Sequence, residues 1–155
     1  DIHLCTLRDK QQFSDQLGEA ESMGISSAQW SLFGVVWESS EILAREMQYF
    51  DIKNKRILEL GCGIGLSSLL LNERLADITA TDIHPLAGEL LASFILLHAH
   101  PNCEVILVDP GRGNHASFSK KMLSLGFSHT QKKPIYADNY AGSLKGQILT
   151  YGRIQ

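Results

Sequence analysis

Three glycines, Gly61, Gly63 and Gly65, alternate between an apolar run, Arg56–Leu60, and a second one that opens at Leu66. Glycine at such a turn admits positive φ, and it lets a ligand reach the backbone where a Cβ would collide. A helix that starts there presents unpaired N–H groups suited to a carboxylate or a phosphate. Roughly 20 residues on, Asp82 closes a second strand-like run, the place for a carboxylate that accepts hydrogen bonds from both hydroxyls of a ribose. Glu59, two positions before the first glycine, can fix loop amides or receive an amino group. A glycine turn with a strand-end acid is the footprint of an adenosine-type cofactor.

These residues need a scaffold of alternating strands and helices. Residues 1–30 alternate weakly and then turn polar, the pattern of a short edge strand or arm. From Trp37, Leu43, Met47 and Phe50 recur at helical spacing, with Ser39 and Ser40 as N-cap candidates. Ile57, Leu58 and Leu60 predict a buried strand, and Leu66 to Leu75 a helix with Ser67 and Ser68 in its first turn. Asp77 to Ile83 is rich in β-branched residues and predicts a second strand. Pro85 sits where a helix can begin, and "LAGELLAS" continues it. Cys103 to Pro110 predicts a further strand, and "NHASFSKKMLSLGF" a helix that stops at Gly126. "SHTQKKPIYA" and "GQILTYGRI" predict a closing antiparallel hairpin. The alternation argues an α/β fold: a doubly wound, mostly parallel sheet with helices on both faces, in a single domain over 1–155, its core at 31–155.

Composition agrees with a globular chain. At 155 residues, 44% hydrophobic and 20% charged, with net charge −3, the chain can bury a core and carries no basic block, so nucleic acid is not indicated as a partner. No apolar run approaches the roughly 18 residues needed to span a bilayer, and no signal-peptide h-region is read near the N-terminus, so no membrane partner and a cytoplasmic location are expected. The chain opens at Asp1 rather than Met, and an upstream start is expected. Cys5, Cys62 and Cys103 are an odd number at wide spacing, a poor disulfide framework. His98, His100 and Cys103 lack a fourth ligand at a recognisable spacing, so no metal site is expected; two histidines at a helix end beside Pro101 are the simpler reading.

Two cofactor families compete for the glycine turn. A dinucleotide fingerprint is G-x-G-x-x-G, and here Leu66 stands at its third glycine position. "ELGCGIG" instead resembles the first motif of class I, seven-strand methyltransferases that use S-adenosylmethionine (SAM), and "TDIHP" resembles their second. "WSLFGVVWESSEILAREM", with Gly34, Trp37 and the Leu43–Ala44 step, resembles the protein lysine methyltransferase branch. The likeness covers roughly residues 30 to 90 well and is weaker after 103. It implies a Rossmann-like fold, SAM as cofactor, and a binding set of Trp37, Glu59, Gly61, Cys62, Gly63, Gly65, Asp82 and Ile83. In that set Trp37 lines the pocket, Gly61 to Gly63 cradle the methionine and ribose parts, and Asp82 holds the ribose. By itself, Trp37 equally suits a core anchor, and Asp82 a solvated residue beside a packing turn.

The family pattern breaks after Ile83. A complete member carries two more strands with their helices before "EVILVDP", and this chain has roughly 20 residues there, room for one helix and a turn. Either the protein is a miniature, or an internal segment is absent, with the join near Ser93–Phe94. The second reading is favoured, and it predicts an intact mass for the expressed protein above 17.2 kDa; a measured mass equal to that value removes it. The acceptor loop of the family falls in the gap, so no catalytic residue is assigned. Asp109, at a strand end, is an acid in a suitable place or else a cap for the turn "DPGRGN". The expected function is SAM-dependent methyl transfer to a protein lysine. Its alternatives are transfer to a small molecule on the same fold and a SAM-binding module without turnover; an NAD-dependent dehydrogenase is a distant fourth.

Overall fold

The computed structural model describes residues 3–4, 6, 17–24, 34–81, 88–111, 115–134 and 146–153. Contacts divide the chain into two compact units, Asp1–Asp82 and Ile83–Gln155. The boundary falls in the stretch where the family pattern breaks.

In the first unit, a one-turn helix α1 (Glu19–Ser22) precedes α2 (Glu38–Tyr49), β1 (Arg56–Leu60), α3 (Leu66–Glu73) and β2 (Asp77–Thr81). The N-cap of helix α2 is Trp37, whose side chain makes no capping bond, rather than Ser39 or Ser40. Glu38 and Glu41 in its first turn offset the helix dipole instead. The buried residues are Ile42, Ala44 and Met47, while Leu43 is half-buried and Phe50 lies beyond the helix. Ile42 and Ala44 stand roughly 200° apart around the axis, so α2 is covered on two sides. At its C-terminal end, the Arg74 guanidinium donates to the carbonyls of Met47 and Phe50, the latter at 2.8 Å. A planar fork on two orphan carbonyls is an arginine's task.

Helix α3 ends two residues short of the expected Leu75. Leu75 takes φ 62°, its N–H donates to Asn72 O at 2.9 Å, and the Ala76 N–H donates to Leu71 O at 3.0 Å. That is a Schellman stop with leucine where glycine is usual. Leu75 is 91% exposed, so it packs against little. Leu75→Gly is therefore expected to stabilise the protein by about 1 kcal/mol, through relief of left-handed strain, measured as a rise in the urea midpoint at unchanged slope.

Strands β1 and β2 pair in parallel, from Arg56 opposite Asp77 to Leu60 opposite Thr81. The expected burial of β1 is not found: its residues are at most half-buried, and Leu58 is 48% exposed. Parallel strands are normally covered on both faces and flanked by neighbours, and among the described residues this sheet has only these two strands.

The second unit runs α4 (Gly88–His98), β3 (Glu104–Asp109), α5 (His115–Ser124), β4 (Phe127–Lys132) and β5 (Gln147–Arg153). Helix α4 continues unbroken through Ser93–Phe94, so a join there leaves no local mark. The predicted hairpin forms, β4 antiparallel to β5. Strand β3 also pairs antiparallel with β5, which therefore lies in the middle of the order β3-β5-β4. The α/β class holds, but the described strands make a parallel pair and an antiparallel three-stranded sheet rather than one mostly parallel sheet. Alternation along β5 puts Leu149 and Tyr151 on one face, and there Ala92, Ile95, Met122 and Phe127 complete a buried core. The Arg153 guanidinium donates to Ala99 O (3.0 Å) and Leu96 O (3.1 Å), closing the end of α4 as Arg74 closes α2.

The His98 ring lies tilted against Phe94, centroids 4.5 Å apart, and His100 Nδ1 accepts the Asn102 N–H at 3.2 Å, so both histidines are engaged locally. Among the described residues no group of three metal-ligating side chains occurs, and no helix is long and apolar enough to cross a membrane.

Candidate functional site: the glycine turn

Gly61, Gly63 and Gly65 all have positive φ (69°, 54° and 73°). Among the described residues nothing lies within 4 Å of a Cβ built on any of them, so the turn presents bare backbone. Tight packing therefore does not explain the glycines. Backbone conformation explains them in part, and access to the backbone is what the open side provides.

The turn is fastened at three points. The N–H groups of Gly61 and Cys62 both donate to Thr81 O, at 2.8 and 3.2 Å. Gly65 N–H donates to Cys62 O at 2.8 Å, and Gly65, in the left-handed region, is the residue from which α3 departs. The Ser68 hydroxyl donates to Glu59 Oε2, so a side chain of the strand before the turn grips the helix after it. Ser67 and Ser68 are both buried in that first helical turn, and Ser67 Oγ has no partner among the described residues.

The bonds to Thr81 matter most. They set Thr81, the last residue of β2, against the first two residues of the glycine turn. Asp82 and Ile83 lie outside the described residues. Glu59 is found on a hydroxyl of α3 rather than on loop amides, a tie that sequence reading missed although it had placed Ser68 in the first helical turn. Cys62 is half-buried, and its thiol Sγ donates to Gly63 O at 3.8 Å. Trp37 is half-buried at the start of α2.

A cleft of about 400 Å³ lies between α2 and α3, lined by residues that include Val36, Ala44, Leu66 and Leu70. None of the glycines lines it. The turn is an open edge rather than the wall of that cleft.

No family model matches the chain. Over 81 residues, 49% of this chain and 35% of the relative, the sequence is 33% identical to the protein N-lysine methyltransferase METTL21A of Danio rerio. The likeness is to a methyltransferase. The chain covers well under two thirds of that relative's length, so the relative's whole activity does not transfer with the match.

Proposed function

We propose that this chain is a SAM-dependent methyltransferase whose acceptor is a protein lysine side chain. The observation that carries the reading is the pair of hydrogen bonds from Gly61 and Cys62 to Thr81 O. They join the two halves of an adenosine-type site, a bare-backbone turn and the end of the next strand, in the order that the sequence motifs require. The open side of all three glycines fits a bound nucleoside. Gly61, Cys62, Gly63 and Gly65 would then flank the methionine and ribose parts, with Asp82 taking the ribose hydroxyls, Ile83 beside it and Trp37 lining the pocket. Glu59, held by Ser68, keeps strand, turn and helix in one geometry. SAM supplies an electrophilic methyl on a sulfonium, so the protein's share is to hold donor and acceptor in line. The lysine acceptor draws on the partial likeness to a protein N-lysine methyltransferase.

The exposed flank of β1 favours the related proposal that an internal segment is absent, with the join near Ser93–Phe94. In that case the intact mass exceeds the value set by these residues. The same flank gives the SAM-binding module without turnover its support.

Asp82→Ala tests the site. The loss of charge-assisted hydrogen bonds is expected to weaken SAM by about 1–3 kcal/mol, read by calorimetry. Unchanged affinity would remove Asp82 as the ribose ligand.

A further inference from the structure

We propose that Ser68 is a positioning residue that sets the ligand preference of the glycine turn: it aims Glu59 so that this carboxylate receives the ammonium group of the donor's amino-acid part. The inference rests on the SAM reading above, and all of its residues belong to the unit Asp1–Asp82. The Ser68 hydroxyl donates to Glu59 Oε2 and closes a loop of chain, Glu59 to Ser68, that contains all three glycines. Within that loop Glu59 is the only charged side chain.

The two carboxylate oxygens have different surroundings. Oε2 is taken by Ser68, which is 9% exposed in the first turn of α3. Oε1 makes no hydrogen bond or ion pair among the described residues. An orphan carboxylate oxygen sealed from water would be costly, and Oε1 is not sealed: Glu59 is half-buried and Oε1 keeps contact with solvent. One oxygen is thus fixed to the helix while the other is left to accept a bond from a ligand.

Backbone groups of the turn can flank any nucleoside. A carboxylate favours one that carries an ammonium group, because hydrogen bonds between charged groups are the strong ones. A glutamate side chain has many rotamers, and holding it in place beforehand removes an ordering cost worth about 2- to 10-fold in affinity. The Ser68 bond does that holding, from a residue that itself stays buried behind the acid.

The test uses the full chain, calorimetry and two probes: SAM, and methylthioadenosine, the same nucleoside without the amino-acid part. Wild type is expected to prefer SAM. Ser68→Ala is expected to weaken SAM by about 5-fold and to leave methylthioadenosine unchanged. Glu59→Gln can still accept the Ser68 hydroxyl, so the fastening of strand to helix persists while the charge is gone. It is expected to weaken SAM by about 30-fold, and Ser68→Ala is expected to add little on that background. A urea melt of each variant checks the fold. Equal weakening of both probes in Ser68→Ala, or full additivity with Glu59→Gln, would make Ser68 a structural tie and overturn the proposal. So would wild-type SAM affinity in either single variant, or no preference for SAM in the wild type. Binding of neither probe by the wild type overturns the SAM reading, and this inference with it.

Discussion

Gly63→Val is expected to lower SAM affinity by about 100-fold or more, close to 3 kcal/mol, in a protein that still folds. Gly63 has φ 54°, and open space lies where its Cβ would stand. A β-branched side chain at that φ costs about 1–2 kcal/mol of backbone strain, without a clash against the protein. On the proposed reading, the new methyl groups instead occupy the side from which a nucleoside would reach the turn. Gly126→Ala is the control. Gly126 has φ 84° and equally empty surroundings, but it ends α5 in the second unit. It should show a similar stability loss by urea titration with SAM affinity unchanged. Equal SAM affinity in wild type and Gly63→Val would mean that the glycines serve the fold alone.

Tyr151→Ala is expected to cost about 3–5 kcal/mol of stability, a large part of what a domain of this size possesses. Tyr151 is fully buried at the centre of the three-stranded sheet. It meets Phe118 edge-on at 5.5 Å, stacks against His129, and shares a hydrogen bond with Ser119. The phenol also makes stability depend on pH. Burial raises its pKa above 10.0 and the negative charge of Asp109 raises it further, against a lowering by the Ser119 bond. In the unfolded chain the phenol loses its proton near pH 10, while in the folded protein it keeps it longer. The unfolded state then binds fewer protons, so stability is complete below pH 10 and falls as pH rises through the folded pKa. Tyr151→Phe should flatten that alkaline limb in urea melts. An unchanged limb would place the titrating group elsewhere.

The glycine turn was legible because its cause is local. Alternating glycines between two apolar runs have few uses, and the strand before, the helix after and the parallel strand β2 followed from the same pattern. The closing hairpin was legible for the same reason. Its third partner was not: periodicity shows which face of β3 is apolar, but not that β5 will lie beside it in the antiparallel sense. Helix limits failed where chemistry and conformation part. Ser39 and Ser40 carry the usual cap side chain, yet Trp37 caps α2, and Leu75 turns left-handed with no glycine to announce it. The Glu59–Ser68 contact escaped because it spans a turn whose closure decides who meets whom, and the Asp109–His115 contact because it joins the end of one element to the start of the next. The burial expected of β1 failed for a physical reason too, since a strand cannot be buried by neighbours that the described chain does not place beside it.

The central claim, that the turn at Gly61–Gly65 and the strand end at Thr81 form a SAM site, is tested most directly by titrating the full chain with SAM and, separately, with NAD in a calorimeter. Saturable one-to-one binding of SAM with no heat from NAD is the predicted result. Binding of NAD without SAM, or no binding of SAM at all, would contradict it.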